Sequence, residues 1–545
     1  MKHRQAERGP DDGVRIERTA PERSEKIKPA YAKTPKRKET RSATPLSALR
    51  PLRTLRLGVN PLLSFTEDST SSPQRPPQTT LRRQLGLGTA AAAVAGEAIG
   101  VGIFLTPAGM ARQLGSPFWL LMVWLVMGLM AVAGGLCFGG LARRYPEAGG
   151  LYVYLREAFG PRVAFLYGWM QFLVMDPGVT ASLAVGLAAY TASVTHITVL
   201  GQKILGIGAI LGLAAINMRG TRLGAAILQG LTWLKISALA LLPVWALAFG
   251  LGSWSHFTPL VGPRSGSTPL FAALAASSMA AFYSFGGWWD ATKIAGEVRE
   301  PERNMPRALV LGILAVTLVY ILVTGVFIYL VPVARITSGE TFMAQAGDRL
   351  FGAAGAAIMA ALVVLCVLAS MMALLMLSPR VYYAMARDGL FFQAIARTHP
   401  TYGTPARAIA LQAILASLLA ARGTFNQIVA YFVFVAVAFL GLTVAGLFPL
   451  VAHPHAAPFH SERSDPSAAC GPKPFGRRSP EGFGPQDEES PSSRLRVPGF
   501  PYTPALFLLL TALMLFLLAS RAPRQALLGV LVVSLGVPAF QLVRK

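Results

Sequence analysis

Glycines and charges in apolar surroundings mark the residues of this chain that could do chemistry. Gly286 and Gly287 interrupt the apolar stretch that runs from Pro269, within Ala281-Phe-Tyr-Ser-Phe-Gly-Gly-Trp-Trp-Asp290. Gly100 and Gly102 interrupt a second one, Leu85 to Arg112, within Gly96-Glu-Ala-Ile-Gly-Val-Gly-Ile-Phe104. Each glycine costs a helix about 1 kcal/mol relative to alanine, and backbone unwound in lipid must find other partners. A break of this kind aims free N–H groups at an anion and free C=O groups at a cation, with opposite helix-dipole ends facing the same point. Ionisable residues fall in the same or neighbouring segments: Glu97, Asp176, Lys235, and the run Asp290, Lys293 and Glu297. Such groups are costly at mid-membrane, so they are paired, face a cavity, or take part in function.

The elements that must hold these residues are membrane helices. The chain has 545 residues, of which 53% are hydrophobic and 14% charged, far more apolar than a soluble protein of this size. We read an all-α polytopic membrane protein with twelve transmembrane segments: Leu85 to Arg112, Phe118 to Leu141, Pro161 to Tyr190, Ile197 to Asn217, Gly224 to Leu251, Pro269 to Glu297, Ala308 to Val331, Ala353 to Tyr383, Ala406 to Ala421, Ile428 to Val451, Pro504 to Ala519 and Ala526 to Leu542. Two broken helices in corresponding places of two halves imply an inverted-repeat architecture with the ligand near the bilayer midplane. The plan is then residues 81–251 (helices 1 to 5), residues 268–451 (helices 6 to 10), and residues 501–545 (helices 11 and 12).

The net charge of +24 does not imply a nucleic-acid partner, because of where it sits. Residues 1–80 hold 17 Lys and Arg against 9 Asp and Glu, a basic, Pro- and Ser-rich composition expected to be a disordered cytoplasmic tail, with Lys33 to Arg41 within reach of anionic lipid headgroups. Basic residues then favour alternate short loops, thirteen against eight, which puts both termini in the cytoplasm. The segment 452–500 balances six basic against six acidic residues among Pro, Ser and Gly and reads as a disordered cytoplasmic linker. Its His453, His455 and His460 lack a fixed scaffold, so no metal site is expected. Cys137, Cys366 and Cys470 form no disulfide framework, and the first 80 residues lack the apolar core of a cleavable signal.

Between the helices, Gly135-x-x-x-Gly139 lets helix 2 approach a neighbour closely. Leu151 to Gly160, with Arg156 and Glu157 among apolar residues, is expected to lie at the cytoplasmic interface. Asp290, Lys293 and Glu297, three and four residues apart, share one helical face, which is expected to line a polar cytoplasmic vestibule. Glu97 stands one helical turn before Gly100 and is expected to face the same cavity. A nucleotide loop, a zinc-protease helix and a nucleophile elbow are all missing, so neither an enzyme nor an ATP-driven pump is expected.

Ile99-Gly-Val-Gly-Ile-Phe104, Phe285-Gly-Gly-Trp288 and Glu297-x-x-x-Pro-x-Arg-Asn-x-Pro306 resemble helices 1 and 6 of the amino acid-polyamine-organocation superfamily, most of all its L-type amino acid transporter branch. Pro146 to Gly160 and the loop from Ala386 to Pro405 resemble the family's cytoplasmic connections, so the resemblance spans about residues 81–451. It implies the LeuT-like 5+5 inverted-repeat fold and a multi-pass plasma-membrane transporter, with an amino acid as substrate and no cofactor. The carboxylate would be held by N–H groups at Gly100, Val101 and Gly102, and the ammonium by carbonyls near Ile99, Tyr283, Ser284 and Phe285. Tyr283 matches the aromatic gate, and Gly286, beside Gly287, stands where relatives that take basic amino acids carry an acid, which leans towards neutral substrates. Lys235 matches a helix-5 lysine whose ammonium fills a sodium position, implying sodium-independent transport by proton symport or exchange, with the proton as a further partner. Asp176, Lys235 and Glu97 each keep a structural alternative, a buried ion pair, and Glu97 keeps two functional ones, a proton carrier or a reader of substrate charge. Asp290 is a secondary candidate for the substrate site. A transporter-like amino acid receptor and a permease for basic amino acids or polyamines remain as rivals. Residues 191–202 contain no cysteine for a heavy-chain disulfide, and whether a partner subunit exists stays open.

Overall fold

The computed structural model describes residues 81–261, 269–335, 339–422, 426–452, 495–521 and 523–544. The expectations for the tail 1–80, for Cys470 and for the three linker histidines fall outside these residues. Among the described residues the fold is all-helical, apart from one isolated bridge between Leu85 and Val298. Ten of the helices among the described residues are long and apolar enough to cross a membrane, or eleven if one bent pair is a single span. Of the twelve expected segments, Ala406 to Ala421 is a helix of 17 residues, Ala406–Arg422, slightly short of the ~20 residues that span a bilayer upright.

The bent pair is the first expected break. Helices α1 (Leu87–Ala98) and α2 (Gly102–Leu114) meet at 47°. Pro117 at the first turn of α3 (Pro117–Arg144), with Ser116 as its cap, starts the next span. A short helix, α4 (Leu151–Phe159), leads to the long α5 (Pro161–Thr195), and α6 (Val199–Met218) and α7 (Thr221–Ala248) complete the first half. Helix α8 (Leu270–Phe285) ends at Gly286, and Gly287 turns with φ 101° into a tight 3-10 segment, Trp288–Glu297. Helices α9 (Pro301–Leu330) and α10 (Gly355–Leu377) follow.

Small residues set the helix spacing. A Cβ on Gly135 would come within 2.6 Å of Ile313, and one on Gly139 within 3.0 Å of Pro306, so α3 lies directly against α9. The last linker residues also pack, because a Cβ on Gly140 would meet Val497 at 2.7 Å. Residues 495–500, which the sequence reading places in the linker, are thus described and partly packed, while residues 453–494 lie outside the described residues.

The structure adds to one sequence expectation and changes another. Helix α4, expected at the cytoplasmic interface, is enclosed by protein over Leu151 to Arg156. Arg156 makes this possible by pairing with Asp388 at 2.8 Å, Glu157 at 2.8 Å and Glu147 at 3.1 Å, while the Tyr152 hydroxyl donates to Asp388 at 2.8 Å. Burial works against the Arg156 charge, but Asp388 and Glu147 outweigh it, so the guanidinium holds its proton more tightly than usual. Asp290, Lys293 and Glu297 do not together line the expected vestibule, since all three are buried and, of the three, Asp290 alone reaches a cavity. The 3-10 winding of their segment puts residues three apart in register, and each charge has a partner within the protein.

Candidate functional site

The two breaks meet face to face. A Cβ on Gly102 would sit 2.7 Å from Ser284 Oγ and 3.0 Å from Ser284 Cα, and one on Gly287 would sit 2.6 Å from Glu97 Cγ. Only glycine permits this approach, and at Gly287 the positive φ demands it as well. The Tyr320 hydroxyl of α9 clips the junction, lying 2.8 Å from the Ala98 carbonyl and 2.7 Å from the Ser284 carbonyl and donating to one of them at a time.

The carbonyls that α1 frees at its C-terminal end are also engaged. Lys235 Nζ, on α7 and fully buried, donates to Gly96 O and Ile99 O at 2.6 Å each. Ser370 Oγ, on α10, lies 3.0 Å from Gly96 O and 3.2 Å from Ile99 O. Both Lys235 and Ser370 thus solve the problem of carbonyls unwound in a dry interior. Lys235 therefore bonds to backbone and makes no ion pair with Glu97, and the carbonyls of Ile99 and Ser284, both expected to meet the substrate ammonium, have donors within reach in Lys235 and Tyr320.

A cavity of about 1120 Å³, counting its solvent-open part, lies beside the junction. Of the predicted residues, Gly100, Val101, Gly102, Tyr283, Ser284, Gly286 and Gly287 line it, as do Glu97, Asp176 and Asp290. Ile99, Phe285 and Lys235 do not line the cavity. Phe285 turns its ring away to pack between Trp124 and Tyr320. Tyr283 keeps 52% of its surface exposed, so the ring stands beside the cavity without sealing it. At the N-terminus of α2 the first N–H groups have no acceptor one full turn back; Gly100 N–H turns to Ala98 O at 3.0 Å and Phe104 N–H to Val101 O at 3.1 Å.

Charge is concentrated at one wall. Lys293 Nζ lies 2.9 Å from Asp290 Oδ2 and 3.3 Å from Asp176 Oδ1, and the Tyr382 hydroxyl donates to Asp176 Oδ2 at 2.8 Å. The helix that carries Asp176 loosens into one π turn, Gln171–Met175, just before it. Pro177 has no N–H for the carbonyl one turn back, and its ring crowds that turn. Such π turns often accompany functional sites. Further along, Glu297 and Arg380 pair at 2.7 Å, both buried, beside the backbone bonds from Gln84 N and Leu85 N to Glu297 O. These bonds fasten the start of α1 to the end of the 3-10 segment.

Sequence reasoning missed several lining residues, among them Tyr167, Gln171, Phe282, Trp289 and Ser370. Phe282 and Trp289 flank the recognised break by one turn or less, and that proximity was the available signal. Ser370 had none, being a lone serine in a uniformly apolar helix. No group of His, Cys, Asp and Glu among the described residues is arranged to hold a metal ion.

Two unwound helices around a mid-span cavity, in a chain of many membrane-capable helices, define a multi-pass membrane protein of the carrier type. Residues 85–528 match the amino acid permease family. The chain belongs to that family, in the L-type amino acid transporter branch of the amino acid-polyamine-organocation superfamily. It is 30% identical to the serine/threonine exchanger SteT of Bacillus subtilis (strain 168) over 62% of this chain and 76% of that one. It is 27% identical to the b(0,+)-type amino acid transporter 1 of Homo sapiens, over 72% of this chain and 81% of the relative. The large neutral amino acids transporter small subunit 2 of Homo sapiens is also 27% identical, over 67% of this chain and 69% of the relative.

Proposed function

We propose that this protein is a secondary transporter of neutral L-amino acids that works by alternating access and does not need sodium. The observation that carries the reading is the Lys235 ammonium held by Gly96 O and Ile99 O. A fixed cation on two freed carbonyls does the work that a bound sodium ion would do, and it leaves no vacancy for one. The substrate carboxylate goes to the N–H groups at the start of α2, around Gly100, Val101 and Gly102, as anions go to helix N-termini. Its ammonium goes to the carbonyl end of α8 at Tyr283, where the carbonyl that takes the Gly286 N–H at 3.2 Å keeps a second lone pair beside the cavity. Tyr283 is the aromatic gate, and Gly286 leaves room for a neutral side chain.

In this reading the chain crosses the plasma membrane twelve times, with the first ten spans forming two inverted repeats of five. Both termini are cytoplasmic, as the excess of basic loop residues requires. The end fastened by Glu297 and Arg380 is then the cytoplasmic gate, closed while Tyr283 leaves the other side open. Counterflow of labelled neutral amino acids in proteoliposomes tests the proposal. Trans-stimulated uptake is expected, whereas saturable binding without exchange would identify a receptor. Competition by unlabelled amino acids then ranks the substrates.

A further inference from the structure

We propose that Glu97 and Asp290 form an acid pair across the junction of the two broken helices and that this pair binds one transported proton. The inference deepens the transport reading above and rests on it. Glu97 closes the first half of helix 1, and Asp290 opens the 3-10 segment that continues helix 6. Their carboxyl groups lie within hydrogen-bond reach of each other. Glu97 Oε2 and Asp290 Oδ1 each expose less than 1 Å² and have no protein donor. Two carboxylates this close, each with an oxygen that lacks a donor, repel, and a single proton between them converts the repulsion into one O–H···O bond, as in other carboxyl pairs that share a proton.

The surrounding charges agree with one proton. Glu97 faces Asp290, Lys293 and Asp176, and it is also felt by Lys235 on α7, which neighbours Cys366 on α10. Tyr382 donates to Asp176, and Tyr167 stands near Lys293. Three carboxylates therefore stand against two ammonium groups, one negative charge too many for a dry interior. One bound proton brings the cluster to neutrality, whereas a zwitterionic amino acid, carrying no net charge, leaves the excess in place. Glu97 and Asp290 both line the cavity, but the orphaned oxygen of each exposes less than 1 Å², room for a proton and not for a substrate ammonium.

The position suggests how the proton couples to movement. Gly287 has no Cβ, so the Glu97 side chain can cross to the 3-10 segment. With the proton bound, the O–H of one carboxyl donates to the other and clasps the two broken helices together. When the proton leaves, both groups become carboxylates, and their repulsion favours the separation that opens the fastened end.

The experiment uses the full-length protein in proteoliposomes with a trapped pH-sensitive dye and a mixture of labelled neutral L-amino acids. With an alkaline interior, wild-type uptake should acidify the lumen, and a gradient of one pH unit should drive about tenfold accumulation for one proton per amino acid. Glu97→Gln and Asp290→Asn should each abolish the substrate-dependent acidification and the accumulation. If wild type shows counterflow but moves no protons, or if a folded Glu97→Gln protein still moves them, the acid pair is overturned while the transport reading stands. A wild-type preference for lysine that Glu97→Gln removes, without proton movement, would make Glu97 a reader of substrate charge and also overturn the pair. Absence of counterflow in wild type would instead overturn the transport reading itself.

Discussion

At the scale of single residues, the junction depends on groups that admit no ordinary replacement. Gly287 holds φ 101° with Glu97 Cγ 2.6 Å from where a Cβ would stand. Gly287→Ala should therefore lose about 1 to 3 kcal/mol of stability, read as a lowered melting temperature of the purified protein. Lys235→Met keeps the length of the side chain but leaves Gly96 O and Ile99 O with Ser370 alone. Each under-satisfied buried carbonyl costs about 1 to 3 kcal/mol, so substrate affinity should fall about tenfold or more if the junction shapes the site, and binding isotherms would show it. Unchanged affinity would return Lys235 to a purely structural role. Both residues stand out in the sequence because a glycine pair or a lysine inside an apolar run is anomalous by itself. Their partners were not, since a backbone carbonyl or a lone Ser370 leaves no anomaly to find.

At the scale of elements, what matters is how the half-helices bear on their neighbours. Helix α2 touches α8 where Gly102 meets Ser284, so Gly102→Val should push the two apart and lower both binding and melting temperature. Gly100 is the cleaner test of backbone capture, because a Cβ there meets only Ser370 Oγ, at an ordinary 3.4 Å. Gly100→Ala should melt near the wild-type temperature yet bind substrate more weakly, and wild-type-like affinity would move the carboxylate site elsewhere. The fastened end has its own signature. Removing one partner from a buried ion pair costs about 3 to 5 kcal/mol, whereas replacing both with apolar groups can be neutral. Glu297→Leu should thus destabilise strongly and Glu297→Leu with Arg380→Met should recover, with thermal melting as the measurement. Sequence spacing had put Glu297 on one face with Asp290 and Lys293, a reading that assumed α-helical winding. The 3-10 winding and the arrival of Arg380, 83 residues further on, could not be seen from a local pattern.

At the scale of the whole molecule, replacing sodium with choline should leave amino acid uptake unchanged, because the carbonyls that would hold the ion already hold Lys235. A strict sodium requirement in the same proteoliposome assay would remove the lysine from that role. The sequence alone determined the membrane class, the places of both helix breaks and the family resemblance, because hydropathy, glycine and proline act over a few residues and leave a local trace. It also marked every charged residue of the acid cluster as out of place. Only the tertiary structure decided who pairs with whom: Asp176 with Lys293 across helices, Lys235 with backbone, Arg156 with Asp388, and Glu97 facing Asp290. Those choices arise from long-range packing in a medium without water, where each charge must take the nearest group that can satisfy it, and nearness there is not nearness along the chain.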